Sequence, residues 1–231
     1  DPEMQQAIAE VVVVHEGPPP IRTTSAWRGS MIDRLASIVL HRRLLASMDQ
    51  PGSPVRGGGA RIISAPGGSI VAVASVMGDP ADWRRLVSEV ATGVSRARIE
   101  PPSRDEMDAA EQAVIRSLAD AASTEAADDP LLLVETASRS ILSGDALVAP
   151  ADEADRAKRL LAGVAAAEVQ AALASRFNLI DAAFILFMPD RAGTLTHAHA
   201  VLEAVERALR ADGALGPEAR YFHLLALYHE D

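Results

Sequence analysis

The chain has 231 residues, of which 48% are hydrophobic, 3% aromatic and 23% charged, and its formal net charge is −10. The length fits one sizeable or two small globular domains. The acidic balance argues against nucleic acid as a partner, because phosphate binding needs a basic face. The lack of cysteine excludes a disulfide framework and thiolate chemistry. No apolar run reaches the roughly 18 residues of a membrane-spanning helix.

The first part of the chain contains one strand pattern, one helix pattern and one hairpin pattern. Residues 8–15 form a β-branched run that ends at Glu-Gly and three prolines, which is typical of a buried strand. Over 23–46 apolar residues recur at steps of three and four, which predicts an amphipathic helix. The Pro/Gly-rich stretch 49–59 predicts a loop. Residues 60–66 and 69–77 predict the two arms of a β-hairpin.

Two helix starts follow the hairpin. Asp79 is a good N-cap and Pro80 suits the first helical position. The helix predicted there has an apolar stripe of Trp83, Leu86, Val87, Val90 and Val94. Ser103 and Glu106 have the spacing of a capping box, in which each side chain bonds the other residue's amide. This box predicts the start of a long alanine-rich helix over 104–126.

The rest of the chain is mostly helical in pattern. Helices are predicted over 130–144, 151–162, 165–176 and 195–211. A final strand is predicted over 179–188, and the segment 217–229 has no clear pattern. This order lacks the strand–helix alternation of a doubly wound parallel sheet. It predicts an α+β fold, a mainly antiparallel sheet with helices layered on one face.

The helical segments after the hairpin have a characteristic order and spacing. Residues 83–90 follow a hairpin strand, 102–114 contain the capping box, and 165–173 form an alanine-rich helix. Upstream, residues 38–44 end a helix in Arg-Arg-Leu. This order resembles the pitrilysin/insulinase superfamily of zinc peptidases, in which a strand leads into a helix and a capping box opens the next, long helix. The resemblance implies the α+β fold of the processing peptidases.

The zinc motif of that superfamily is missing from this chain. The six histidines stand in neither H-x-x-E-H nor H-E-x-x-H, the spacings that place two imidazoles and a base on one helix face. Family members consist of related domains in tandem, and only one of these domains carries the motif. The resemblance therefore implies a non-catalytic domain that helps to form the substrate chamber and packs against a catalytic domain. We expect no catalytic residue and no metal ligand here, and no substrate-binding residue is assigned.

The resemblance also implies a domain organisation and partners. We expect an N-terminal strand and linker (1–22), an inactive peptidase-like α+β domain (23–190) and a C-terminal helical extension (191–231). The chain begins at Asp1 rather than at a methionine, so we expect it to be a piece of a longer protein. The expected partners are a zinc-bearing catalytic domain, in the same protein or in a partner subunit, and a peptide substrate. Bacterial relatives often work in the periplasm, so the resemblance favours a periplasmic location for this chain.

Two other functions compete with this interpretation. A self-contained metal hydrolase would need ligands from His197, His199, His223 or His229, with Glu203 as a further candidate. Two helical residues that are two apart point about 200° away from each other, so His197 and His199 cannot chelate together on a helix. His199 and Glu203 alone are too few ligands for zinc. The other alternative is a scaffold subunit, as in respiratory-complex relatives of the superfamily.

Several smaller features have structural interpretations. Arg42-Arg43 and Arg84-Arg85 are solvated basic pairs in the simplest interpretation, and Arg43 is expected to form a salt bridge between helices. The glycines at 57–59 and 67–68 precede no G-K-[ST], so a loop and a hairpin turn are expected instead of a phosphate cradle. The sequence contains no G-x-S-x-G elbow, so it does not support a serine hydrolase. Residues 69–77 are our candidate for an edge strand that could pair with a peptide.

Overall fold

A four-stranded sheet forms one layer of the molecule. The structure, a computed structural model, describes residues 5–17, 20–65, 68–125, 130–189 and 198–211. The strands are β1 (Ala7–Glu16), β2 (Val55–Ala65), β3 (Ser69–Gly78) and β4 (Ala183–Phe187). They lie in the order β2-β3-β1-β4, and every neighbouring pair is antiparallel. This arrangement confirms the predicted α+β fold with an antiparallel sheet.

Helices make up most of the remaining described chain. The α-helices are α1 (Thr24–Ala46), α2 (Trp83–Ile99), α3 (Arg104–Glu125), α4 (Pro130–Ser143), α5 (Pro150–Leu161), α6 (Ala166–Arg176) and α7 (Ala198–Ala211). Helices α1 and α2 contact the sheet, and α3, α5, α6 and α7 pack on those two helices or on each other. None of the described helices combines the length and apolar character needed to cross a membrane.

Three predicted boundaries were wrong. Strand β2 begins at Val55 and includes the glycine run 57–59, which we predicted as a loop, because β3 pairs with that run residue by residue. Strand β4 is shorter than the predicted 179–188, because an Asn178–Asp181 turn occupies its expected start. Pro80 opens a short 3-10 helix, so α2 starts at Trp83. The segment 217–229 lies outside the described residues, as do residues 126 and 195–197 of the predicted helices.

The hydrophobic core lies between the sheet and helices α1 and α2. Every second residue of β1, from Ala7 to Val13, is at most 1% exposed. On β3 the matching set runs from Ile70 to Gly78. The apolar stripe predicted for α2 is buried in full, and α1 buries residues at helical spacing from Trp27 to Leu44. Because side chains alternate across a strand, the intervening residues of β1 and β3 form the opposite face of the sheet.

Adjacent valines on β1 should show which face is the core. Val13 is fully buried and Val12 is only partly buried. Threonine keeps the shape of valine but adds a hydroxyl, which costs about 1–3 kcal/mol when it is buried without a partner. We expect Val13→Thr to lower the free energy of unfolding by that amount. Val12→Thr should change it by less than about 0.5 kcal/mol. Urea unfolding followed by circular dichroism measures both values, and equal losses would contradict the assignment of faces.

Candidate functional site

The face of the sheet opposite the buried core is the largest candidate surface. The register of the strands places residues in rows across it, and the rows contain Gly57–Met77–Ile8–Phe187, Gly59–Ser75–Glu10–Ile185, Arg61–Val73–Val12–Ala183 and Ile63–Val71–Val14. Most of these side chains are partly or largely exposed, and Val14, Ile63 and Phe187 are 62%, 46% and 42% exposed. We call this set the open face. It is a mainly apolar wall with a few polar groups.

The polar groups of the open face include one acid and one base. Burial raises the pKa of Glu10 above its usual value, and the positive charge of Arg61 partly opposes this shift. Removing water from a carboxyl group disfavours its charged form, while a nearby cation favours it. Glu10 is therefore an acidic group held in an apolar wall, and Arg61 is a cation that interacts with it electrostatically.

A concavity of about 320 Å³ lies beside the glycine run of β2. Its lining includes Gly58, Gly59, Arg61, Ser75, Met77 and, from α1, His41. Helix α1 borders β2 here, because the Ile62 amide donates to the Ser37 hydroxyl at 3.0 Å and His41 follows one turn later. A Cβ on Gly59 would lie 2.6 Å from Nδ1 of His41. Because glycine has no side chain, Gly59 leaves room for the His41 ring to lie against β2.

The backbone at Gly58 also requires glycine. Its φ is +143°, and a Cβ built there would lie 2.2 Å from the carbonyl oxygen of Ser75 on β3. L-residues with a side chain rarely adopt such a φ, and the contact is too close for any atom. The glycine run thus serves strand geometry and leaves the concavity open. It does not have the turn or loop role that we predicted from composition.

Three bidentate arginine–carboxylate pairs fix α1 relative to its neighbours. Arg28 pairs with Glu168 of α6, and Asp33 pairs with Arg176 of α6. The third pair joins Arg43 and Glu106 of α3, with contacts of 2.6 and 3.0 Å. This last pair confirms the predicted salt bridge of Arg43 between helices. The fork geometry of these pairs gives orientation as well as energy.

Glu106 is shared between this pair and the start of α3. Its carboxylate accepts from the Ser103 amide at 2.8 Å, and the Glu106 amide donates to the Ser103 hydroxyl at 3.2 Å. The predicted capping box is therefore confirmed. The hydrogen bond from Arg43, followed by that from the Ser103 amide, lowers the pKa of Glu106 to about 2 although burial opposes the shift. The carboxylate thus holds the α3 N-terminus against α1.

The predicted edge strand was wrong. Residues 69–77 belong to β3, which pairs with β2 on one side and with β1 on the other. Its backbone groups are used in both ladders, so it cannot add a peptide strand. The hydrophobic character that suggested an accessible edge reflects a central position instead. Within the described residues β2 and β4 are the outer strands.

The histidines do not assemble a metal site in the described part of the chain. His15 Nε2 lies 2.8 Å from the carbonyl oxygen of Arg176, and His41 borders the concavity. His199 lies in the first turn of α7, while His197, His223 and His229 fall outside the described residues. Among the residues described, no three His, Cys, Asp or Glu side chains are grouped so that they could hold a metal ion. The side chains there do not fit a zinc site.

Comparison with solved structures identifies the fold. An insulinase family protease from Yersinia pestis matches with a TM-score of 0.71 and 18% identity, over 87% of this chain and 43% of that one. The first half of the periplasmic protease PqqL from Escherichia coli matches with a TM-score of 0.77 and 14% identity, over 96% of this chain and 47% of that one. No protein-family model matches the chain, and no curated protein matches its sequence significantly.

A third structure matches over nearly its whole length. It is the inactive peptidase domain of a Bordetella parapertussis protein described as a zinc protease, with a TM-score of 0.59 and 14% identity. The match covers 81% of this chain and 95% of that one. The fold is therefore that of the insulinase-type zinc peptidases, including their inactive domains, and the resemblance seen in the sequence is confirmed at this level. The chain spans less than half the length of the first two proteins.

The sequence predicts helices on one face of the sheet, but it does not identify the residues of the open face or the concavity. Residues 8–15 predict a buried strand because nearly all of them are apolar. The same run is compatible with a strand that has one buried face and one exposed apolar face. The presence of Glu10 within this run was a signal of that second possibility, because a glutamate is almost never fully buried without a partner.

Proposed function

We propose that this chain is a non-catalytic domain of an insulinase-type zinc peptidase, and that its open face forms part of the wall of a substrate chamber. The single observation that supports the role most strongly is the sheet itself, which has helices on one face and a mainly apolar, largely accessible opposite face. An unfolded peptide exposes apolar side chains, and apolar burial against such a wall gives affinity without reading a defined sequence.

The size of the related proteins supports a partner domain. The chain corresponds to 43% and 47% of the first two matching proteins, so a complete protein of this kind would contain a comparable length of further chain. The proposed partner is a catalytic domain that carries H-x-x-E-H and binds the zinc ion. Zinc there would supply Lewis-acid and water-activating chemistry. This chain would contribute the wall and the helices behind it, which α1 links through its arginine–carboxylate pairs.

The alternative, a self-contained metal hydrolase, has no support in the described residues. It needs three or more ligands in one place, and the described His, Asp and Glu side chains form no such group. The matching domain from Bordetella parapertussis is itself called inactive. We therefore propose that peptide hydrolysis requires a partner domain.

Reconstitution tests the proposed function. The catalytic domain, identified by H-x-x-E-H in the parent reading frame or in a neighbouring gene, is purified with and without this chain. We expect no cleavage of a casein-type unfolded protein by this chain alone. Adding it to the catalytic domain should raise kcat/KM by at least about tenfold, the effect of about 1.4 kcal/mol of added substrate binding. Size-exclusion chromatography should show a stable complex.

A variant of the open face and a matched control complete the test. Val12→Asp places a negative charge in the centre of the wall at a partly exposed position, and it should reduce the stimulation while the complex still forms. Gln112→Glu adds the same charge at an exposed position of α3 and should leave the stimulation intact. Peptide cleavage by this chain alone, or no association with the catalytic domain at high concentration, would contradict the proposed function.

A further inference from the structure

The concavity beside the glycine run contains polar groups that are not used elsewhere in the described structure. Arg61, Ser75 and His41 line it from β2, β3 and α1. None of the three makes a side-chain hydrogen bond or a salt bridge with another described residue; Arg61 has only its electrostatic interaction with Glu10. Convergent polar side chains around a preformed concavity are the usual mark of a ligand site.

The chemistry of the lining indicates the charge of the ligand. Arg61 offers a permanent cation with several donors, Ser75 offers a hydroxyl, and His41 offers a ring N–H. Among the described residues, no acidic side chain lines the concavity. A guanidinium and a hydroxyl that line the same concavity are suited to a carboxylate, whose planar group can accept two parallel hydrogen bonds from a guanidinium.

The size and the lining of the concavity restrict what can enter. Its volume of about 320 Å³ is at the lower end of the range for small-ligand sites, which begins at about 300 Å³. Gly58 and Gly59 belong to its lining, and a Cβ at Gly59 would collide with His41. Met77 and Val73 supply apolar wall. One short side chain or a chain terminus fits this space, whereas a large folded partner does not.

Taken together, the geometry points to a subsite for a carboxylate of a bound peptide, held by Arg61 with Ser75 and His41. The carboxylate could belong to an acidic side chain or to the peptide C-terminus. This inference deepens the proposed function, on which it rests for the peptide as the carrier of the group. Such a subsite would make one position of the open face prefer a negatively charged group of the peptide.

Glu10 provides an internal check on this subsite. It faces Ser75 across the β1–β3 ladder and interacts electrostatically with Arg61. A carboxylate ligand would therefore compete with Glu10 for the same cation. Removing the charge of Glu10 should strengthen ligand binding, and removing the charge of Arg61 should weaken it. A role of these residues in stability alone would not produce opposite effects on binding.

Peptide binding to the complete 231-residue chain tests the subsite. Three fluorescein-labelled, unstructured peptides are compared by anisotropy: one with a central glutamate and an amidated C-terminus, its glutamine twin with an amidated C-terminus, and the glutamine twin with a free C-terminus. We expect one of the carboxylate peptides to bind at least about fivefold more tightly than the neutral twin, a modest fraction of what a charge-assisted hydrogen bond can give. The tighter peptide identifies the source of the carboxylate.

Three variants decide whether the preference comes from this concavity. Arg61→Gln should abolish it, and Glu10→Gln should increase it. Arg104→Gln removes an arginine on α3 that is 92% exposed and should leave the preference unchanged. The chain has a net charge of −10, so non-specific electrostatics would favour the neutral peptide and cannot imitate the expected result.

The proposal is overturned if no peptide binds, if the neutral and carboxylate peptides bind equally, or if Arg61→Gln leaves the preference in place. These outcomes are independent of the reconstitution experiment, because binding is measured on this chain without the catalytic domain. A failure to stimulate a catalytic domain, with carboxylate-dependent peptide binding intact, would remove the proposed function and leave the subsite.

Discussion

Replacing Phe177 with alanine should lower the free energy of unfolding by about 3–5 kcal/mol, the usual cost of truncating a fully buried phenylalanine. Phe177 is 0% exposed and follows the last residue of α6, where its amide donates to the Leu173 carbonyl at 3.0 Å. Its ring therefore lies in the core where α6 ends. The alanine variant would leave a cavity and lose the transfer free energy of the ring.

Phe187 is the matched control for Phe177. It ends β4 on the open face opposite Ile8 and is 42% exposed. Phe187→Ala should cost only about 1–2 kcal/mol, because the ring is little more than half buried and its truncation leaves no enclosed cavity. Chemical denaturation of both variants measures the difference. A loss for Phe187→Ala as large as that for Phe177→Ala would mean that the open face is covered in the isolated chain, and it would remove the basis of the proposed chamber wall.

The Arg43–Glu106 pair should give the protein a pH-dependent stability. The pKa of Glu106 is lowered from its ordinary value of 4.5 to about 2, first by the Arg43 hydrogen bond. A carboxylate with a lowered folded pKa stabilises the native state above its unfolded pKa. This contribution is lost as the pH falls through the window from about 5 to about 2. The side chains of both residues are less than one third exposed, and we expect about 2–3 kcal/mol from this pair.

Glu106→Gln should remove that contribution. The variant keeps the size of the side chain and can still bond the Ser103 amide, but it lacks the charge that Arg43 faces. At pH 7 it should be less stable than the parent by about 2–3 kcal/mol, and the difference should shrink toward zero near pH 2. Glu135→Gln, the same change at an exposed position of α4, is the control for charge loss. Urea unfolding at several pH values measures the effect, and a difference that does not depend on pH would contradict the assignment.

Local patterns were sufficient for much of the fold. The stripe from Trp83 to Val94, the capping box of Ser103 and Glu106 and the antiparallel pair of β2 and β3 all depend on residues close in sequence, and each was predicted with its correct type. The histidine spacing likewise gave no zinc motif. The resemblance to zinc peptidases came from the order of such local features, and the matching structures confirm it for the fold.

The candidate sites depended on contacts between distant residues. The position of β3 in the centre of the sheet follows from its pairing with both β1 and β2, which hydrophobicity alone does not reveal. The concavity joins His41 of α1 to Gly59 of β2 and Ser75 of β3. Composition suggested a loop for the glycines because glycine weakens isolated strands. The ladder with β3 overrides that local preference.

Residue identity and short spacing are sufficient to predict most element types, the acidic charge and the lack of a zinc-binding motif. Long-range packing sets which face of the sheet is covered, which strand is central and which polar side chains line the concavity. An apolar strand has the same sequence pattern whether one or both of its faces are buried. The packing of α1 and α2 against one side of the sheet distinguishes the two cases.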